Sequence, residues 1–212
     1  MKVIFQVVFV LFSGACFSQN LNWSVLSIPD SLKANANTVI RNSELTIEIK
    51  SKNNYVVTEK RVVTVLNELG LQQLDVSEYY DKSTSVKDIE AIVYDAFGKI
   101  IKKIKRKEFK DNSISEGSVV TDGRLLYLDY TPSQYPFTIE FSSVVESSNT
   151  AFLPKWIPVS KFYTSIQFSS LQLINNSGVQ LRHKEKNFDN SVVHFPYLSI
   201  CINRHVQNDG PI

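Results

Sequence analysis

Three groupings of residues in this 212-residue chain have the types that could do chemistry. Cys201, His205 and Asp209 supply a thiol, an imidazole and a carboxylate. A cysteine nucleophile is activated by groups that converge on it from separate segments, and these three are neighbours in sequence. Cys201 also sits in the alternating run Tyr197 to Ile202, where a small buried residue is expected, so no catalytic residue is assigned. The second grouping is metal-ligating: His183, His194 and His205 share no zinc spacing with a cysteine, and Asp111, Glu116 and Asp122 are too irregular for a calcium loop. No metal and no cofactor is assigned. The third is aromatic. Trp156, set between Pro154 and Pro158, could stack on a sugar, and Tyr127, Tyr130 and Tyr135 complete a candidate ligand or partner surface. A tryptophan so placed more often plugs the end of a β core.

Other signatures are missing from the chain. There is no Gly-x-Ser-x-Gly elbow, phosphate loop or dinucleotide fingerprint. Glu140 and Glu146 fall on the wet side of an alternating strand with no evident partner. The run from Lys99 to Lys110 is strongly basic, yet the net charge of the chain is only +2. Lysines on an exposed edge strand, where they discourage edge-to-edge association, are the preferred reading over a nucleic-acid patch.

The elements that must position these residues are strands. Apolar residues make up 43% of the chain and charged residues 21%, values that allow a substantial core and argue against disorder. Thirteen Phe and nine Tyr, with many Val and Ile, suit pleated surfaces. The clearest signal runs from Glu44 to Leu66. Leu45, Ile47 and Ile49, then Tyr55, Val57, Val63 and Val65 share one face, with a turn at Lys52 to Asn54. Further strands are expected at Leu74 to Tyr80, where Glu78 breaks the alternation, and at Ile89 to Tyr94, Leu126 to Tyr130 and Phe137 to Phe141. Phe162 to Phe168, Val179 to His183 and Tyr197 to Ile202 follow. Parity is lost around Ser142 and Ser143, which suggests a bulge or bend, and the polar stretch from Asp111 to Gly123 reads as a long loop. The expected fold is all-β with minor helix: an antiparallel β-sandwich of roughly 9–12 strands built from successive hairpins.

Residues 1–18 carry Lys2, an apolar run from Val3 to Phe12 and a close on small residues, the plan of a secretory signal peptide cut between Ser18 and Gln19. A lipid anchor at Cys16 is disfavoured, because Ser13 stands three positions before it, where bacterial lipoprotein signals usually place an aliphatic residue. After cleavage, Cys201 is the remaining cysteine, so no internal disulfide forms and no transmembrane segment is left. The expected organisation is a signal peptide at 1–18, a polar arm at 19–42, a β-sandwich domain at 43–202 and a tail at 203–212.

Four phrases together resemble a known family: VVTVLNELG at 62–70, SVKDIEAIVYDAFGKIIKKIKRKEFKDNS at 85–113, YPFTIEFSSVVESS at 135–148 and LPKWIP at 153–158. They are similar to a β-rich domain of exported Bacteroidetes-type proteins that precedes a transglutaminase-like core. The resemblance covers roughly residues 30–190 and implies a sandwich-like amino-terminal domain with no accepted activity of its own. The catalytic Cys, His and Asp of that core have no matching positions here, so no active residue is carried over. Residues and resemblance together lead to an exported noncatalytic interaction or accessory module of a transglutaminase-like system, with a polypeptide or envelope glycan as partner and no nucleic acid. A glycan-binding sandwich and a remnant cysteine hydrolase are the alternatives; oligomeric state is left open. Produced in an exporting bacterial host, the mature chain is expected to start at Gln19. Intact-mass spectrometry of the periplasmic product checks this, and a product retaining residues 1–18 refutes it.

Overall fold

A computed structural model describes residues 23–116, 119–178, 180, 191–194, 197–202 and 206–208. Strands β1 (Thr38–Ser51) and β2 (Asn54–Val65) form the expected hairpin, turning at Lys52 and Asn53. They are followed by β3 (Ser77–Tyr80), β4 (Thr84–Tyr94), β5 (Ile100–Lys105), β6 (Lys110–Glu116), β7 (Val119–Tyr127) and β8 (Phe137–Ser147). The later strands are β9 (Thr164–Ile166), β10 (Ser169–Asn175), β11 (Ser191–His194), β12 (Tyr197–Ile202) and β13 (Val206–Asn208). Ten strands build one large sheet in the order β11-β12-β10-β1-β2-β8-β4-β5, with β9 beside β1 and β13 beside β9. β3, β7 and β6 build a second sheet.

The inner face of the large sheet is a set of rows running across strands. Ile47, Val57, Val145 and Val86 align in one row, and Ile40, Val63, Ile139 and Val93 in another. Val65 pairs with Phe137, and Phe141 lies between Arg61 and Ala91. Val76, Phe109 and Leu126 from the small-sheet side close over these rows into one core, giving the two-layer β fold that the alternation implied. Burial of branched and aromatic side chains on one face of each layer is the main favourable term.

Not every pairing is antiparallel. β1 pairs with both β9 and β10 in parallel. The reason lies in residues 148–163: β8 ends beside Tyr55, whereas β9 begins beside Thr38 at the opposite end of β1. The connector therefore travels back along the sheet, and the chain re-enters in the direction of β1.

Three sequence expectations change. Asp111 to Gly123 is not a long loop; its described residues belong to the β6 and β7 hairpin of the small sheet. Asp111, Asn112, Ser113 and Asp122 are exposed, and Arg124 Nε donates to Asp111 Oδ1 at 3.0 Å and to the Tyr80 hydroxyl at 2.8 Å. No bulge interrupts β8 at Ser142 and Ser143: the strand pairs with β2 without a register shift from Ser147 to Phe137, and Ser143 is buried on the inner face. The register shifts lie instead in β1, between Ile40 and Asn42, and in β4, between Val86 and Asp88. Finally, the described part of the polar arm is folded onto the sheet. A 3₁₀ turn (Val25–Ser27) and helix α1 (Asp30–Lys33) bury Trp23, Ile28, Leu32 and Ala36. Trp23 Nε1 donates to Glu140, and the Arg41 guanidinium lies 5.2 Å from the Trp23 ring centroid, an arrangement with cation–π geometry. Apart from Gln180, the strand expected at Val179 to His183 falls outside the described residues.

The phrase NELG explains itself in three dimensions. Asn67 caps α2 (Glu68–Leu71) by accepting from the Gly70 N–H, and its amide donates to Asn37 Oδ1 at 2.9 Å. Gly70 packs so closely on β1 that a Cβ there would stand 2.3 Å from the Asn37 carbonyl oxygen, a backbone atom. Gly70→Ala is therefore expected to destabilise the fold by about 2 kcal/mol or more, since the obstruction cannot rotate away. Urea unfolding checks this, and a midpoint equal to that of the parent refutes it.

Candidate binding cleft

Along β2 the inward positions read Tyr55, Val57, Glu59, Arg61, Val63 and Val65, so two charges interrupt an apolar face. On β8 the inward positions read Phe137, Ile139, Phe141, Ser143 and Val145, and the interrupting Ser143 pairs directly with Glu59. On β3 the interrupting residue is Glu78, and its carboxylate accepts from Ser143 Oγ at 2.5 Å. Three strands thus each place a polar residue where their own pattern calls for an apolar one, and all meet at one spot.

Arg61 organises this spot. Its Nε lies 3.6 Å from Glu59 Oε1, its Nη2 donates to the Asp75 carbonyl oxygen, and its guanidinium sits 5.8 Å from the centroid of the Phe141 ring. Burial pushes the Glu78 carboxyl up to about 7. The charges of Glu59 and Asp75 add to that push, while the Ser143 hydrogen bond and Arg61 oppose it.

Above this polar seam runs the connector. It is tied down at one end where Tyr55 Oη donates to the Phe152 carbonyl oxygen at 3.3 Å and Thr150 Oγ1 donates to that of Lys52 at 2.5 Å. At the other end Gln73 Nε2 donates to the Phe162 carbonyl oxygen at 2.8 Å. In between, Trp156 Nε1 donates to Ser169 Oγ at 3.0 Å. Sheet and strap enclose a cleft of about 550 Å³ whose floor includes Leu45, Tyr55, Val57, Glu59 and Arg61 and whose walls include Glu78, Phe152 and Trp156. A smaller cavity of about 90 Å³ shares Ser43, Arg61, Ile157 and Ser160 with it. The larger volume is of the size that holds a small ligand or a few peptide residues.

The four aromatic residues singled out in the sequence do not form one platform. Trp156 lines the cleft. Tyr130 and Tyr135 instead flank Phe137, with tilted rings 5.7 and 5.6 Å from it, and Tyr127 Oη accepts from Asn112 on the small sheet at 3.2 Å. Glu140 and Glu146 do have partners. Burial pushes the Glu140 carboxyl up, but hydrogen bonds from Tyr94, Lys60 and Trp23 outweigh it and hold the group below the ordinary carboxylate range. Glu146 accepts from Asn54 at 2.7 Å and pairs with Lys87 at 2.8 Å. Among the described residues no three His, Cys, Asp or Glu side chains gather in a metal-holding arrangement. His183, His205 and Asp209 fall outside those residues, while Cys201 is paired through its backbone with Ser170. Glu59, Arg61, Glu78 and Ser143 were missed as a group, although each carried the same signal: a polar residue at an inward position.

Residues 51–194 match the model of a domain of unknown function with solved structures, DUF3857. The chain belongs to the DUF3857 family. A search of curated proteins returned no match. Among solved structures, the DUF3857 chain resembles a proposed protease from Parabacteroides distasonis, with a TM-score of 0.57 at 8% identity over 82% of this chain and 36% of that one. Such identity conveys a shared fold, and this chain spans little more than a third of that protein. Yeast leukotriene A4 hydrolase in complex with bestatin gives a TM-score of 0.34 at 8% identity over 81% of this chain and 27% of the other. An M1 zinc metallopeptidase from Deinococcus radiodurans gives 0.33 at 6% identity over 81% and 40%.

The raised Glu78 carboxyl has a consequence for stability. The folded state holds this proton more tightly than an exposed carboxyl, whose ordinary value is 4.5, so the stability it contributes is full below about pH 4.5 and lost as pH rises through about 7. Glu78→Gln is expected to be near neutral at pH 4 and to stabilise by on the order of 2 kcal/mol at pH 8. Urea unfolding across that range checks it. A variant whose stability relative to the parent does not change with pH refutes it.

Proposed function

We propose that this DUF3857 domain is an exported, noncatalytic module that holds a polypeptide segment in the cleft beneath the connector, as the accessory part of a transglutaminase-like protein system. The observation that carries the reading is the cleft itself: an open, partly apolar channel on the inner face of the sheet, bridged by a strap that presents Phe152 and Ile157 at 80% and 59% exposure. The floor supplies hydrogen-bonding groups and the strap supplies apolar surface, the combination that suits extended peptide. The 36% span of the P. distasonis protein supports a place within larger assemblies, and the leader-like residues 1–18 support export to the periplasm or cell surface.

Two other readings receive less support. Trp156 lines the cleft while Tyr130 and Tyr135 pack against Phe137, an arrangement that lends the glycan reading less support. Lys102, Lys105 and Lys110 of the basic run pair with Glu108, Glu90 and Asp129, which favours a solvated strand edge over nucleic-acid contact.

Selecting displayed peptides on the folded domain tests the proposal. Enriched peptides are expected to shift amide resonances of β2, β3 and the connector, to lose at least about tenfold in affinity on Trp156→Ala, and to be recovered uncleaved. Failure to enrich, shifts confined to the β5 edge, or cleavage of the peptides would each overturn it.

A further inference from the structure

Given that cleft as a peptide site, we propose that it selects segments bearing a cationic side chain, lysine or arginine, whose charged head sits against Glu78 and Glu59 while its aliphatic stem lies along Trp156 and Phe152. The argument is one of unmet charge. Glu59, Glu78 and Asp81 line the cleft against Arg61 and Lys155. Asp81 is already satisfied, accepting from the Ser83 and Thr84 N–H groups and the Ser83 and Tyr79 hydroxyls. Arg61 is already engaged by Glu59 and by the Asp75 carbonyl oxygen. Glu78 has a single hydrogen-bond donor among the described residues, the Ser143 hydroxyl.

A carboxyl withdrawn from water and set among other carboxylates keeps its proton unless a cation arrives. The groups that act on it from the surrounding elements are Glu59 and Arg61 of β2, Asp75 ahead of β3 and Ser143 of β8, and they hold it at about 7. A lysine or arginine head brought into this position favours the ionised form. Its stem, which is apolar, is matched by the strap, where long cationic side chains commonly lay their methylenes. Binding is thereby tied to loss of a proton from Glu78, and affinity rises with pH until the free carboxyl is fully ionised.

Three short fluorescein-labelled peptides of glycine, serine and leucine, identical except for a central lysine, glutamine or glutamate, distinguish the outcomes. By fluorescence anisotropy at pH 8, the lysine peptide is expected to bind at least about tenfold more tightly than the glutamine peptide, with glutamate weakest. Its affinity should fall about tenfold between pH 8 and pH 5.5, and calorimetry in buffers of different ionisation enthalpy should register proton release near pH 6. Glu78→Gln, with its fold verified by thermal unfolding, should abolish both the lysine preference and the pH dependence, whereas Glu146→Gln should leave them intact. If the glutamine or glutamate peptide binds the cleft as well as the lysine peptide, the cation inference fails while the peptide-binding reading stands. If none of the three perturbs the cleft, both fail. Should Glu78→Gln not fold, the pH dependence of the parent protein with the lysine peptide decides: a flat profile overturns the inference.

Discussion

The pairing of β2 with β8 is the constraint on which the rest depends. It runs without a register shift from Tyr55 opposite Ser147 to Val65 opposite Phe137, in the middle of the large sheet. Because side chains alternate with a period of two, a slip of one residue would turn Val57, Val63 and Val65 to the outside and carry Thr58 and Lys60 into the core. The correct register does more than bury apolar surface. It sets Glu59 against Ser143 and Arg61 against Phe141, and those contacts make the floor of the cleft.

Two carboxylates, Glu140 on the outer face of this sheet and Glu78 on β3 across from its inner face, illustrate how environment divides identical chemistry. Glu140 faces outward and is enclosed by Trp23, Tyr94 and Lys60, each of which stabilises its charge. Glu78 faces inward, with one hydroxyl donor, a guanidinium already occupied by others and further negative charge nearby. The first group is a structural fastening that seats the amino-terminal segment on the sheet. The second is held in a state that an incoming cation would relieve.

Much of the framework was legible in the residues. The β1 and β2 hairpin, the β8 strand and the Tyr197–Ile202 strand follow from alternation and turn chemistry, whereas Ile100, Ile101 and Ile104 of β5 fit helical spacing as well and became a strand edge only in the folded sheet. Where reading failed, it failed for a common reason. Serine at 143 looked like a loss of parity because a hydroxyl on an inward position resembles a strand that has shifted; the described residues of 111–123 looked like a loop because the wet side of a thin layer is as polar as a loop. Period and composition register the polarity of a position, not the partner that satisfies it.

The chain alone therefore determined the β character of the fold and, where alternation is clear as in β1, β2 and most of β8, which face turns inward, since local alternation is a property of neighbouring residues. Tertiary structure decided the parallel return of β9 and β10, the seating of Trp23 beside Arg41, and the gathering of Glu59, Arg61, Glu78 and Ser143 beneath the strap. Those outcomes join residues tens of positions apart in the chain. They are set by where a connector must travel and by which buried polar groups can satisfy one another, quantities that exist only once the sheets have packed.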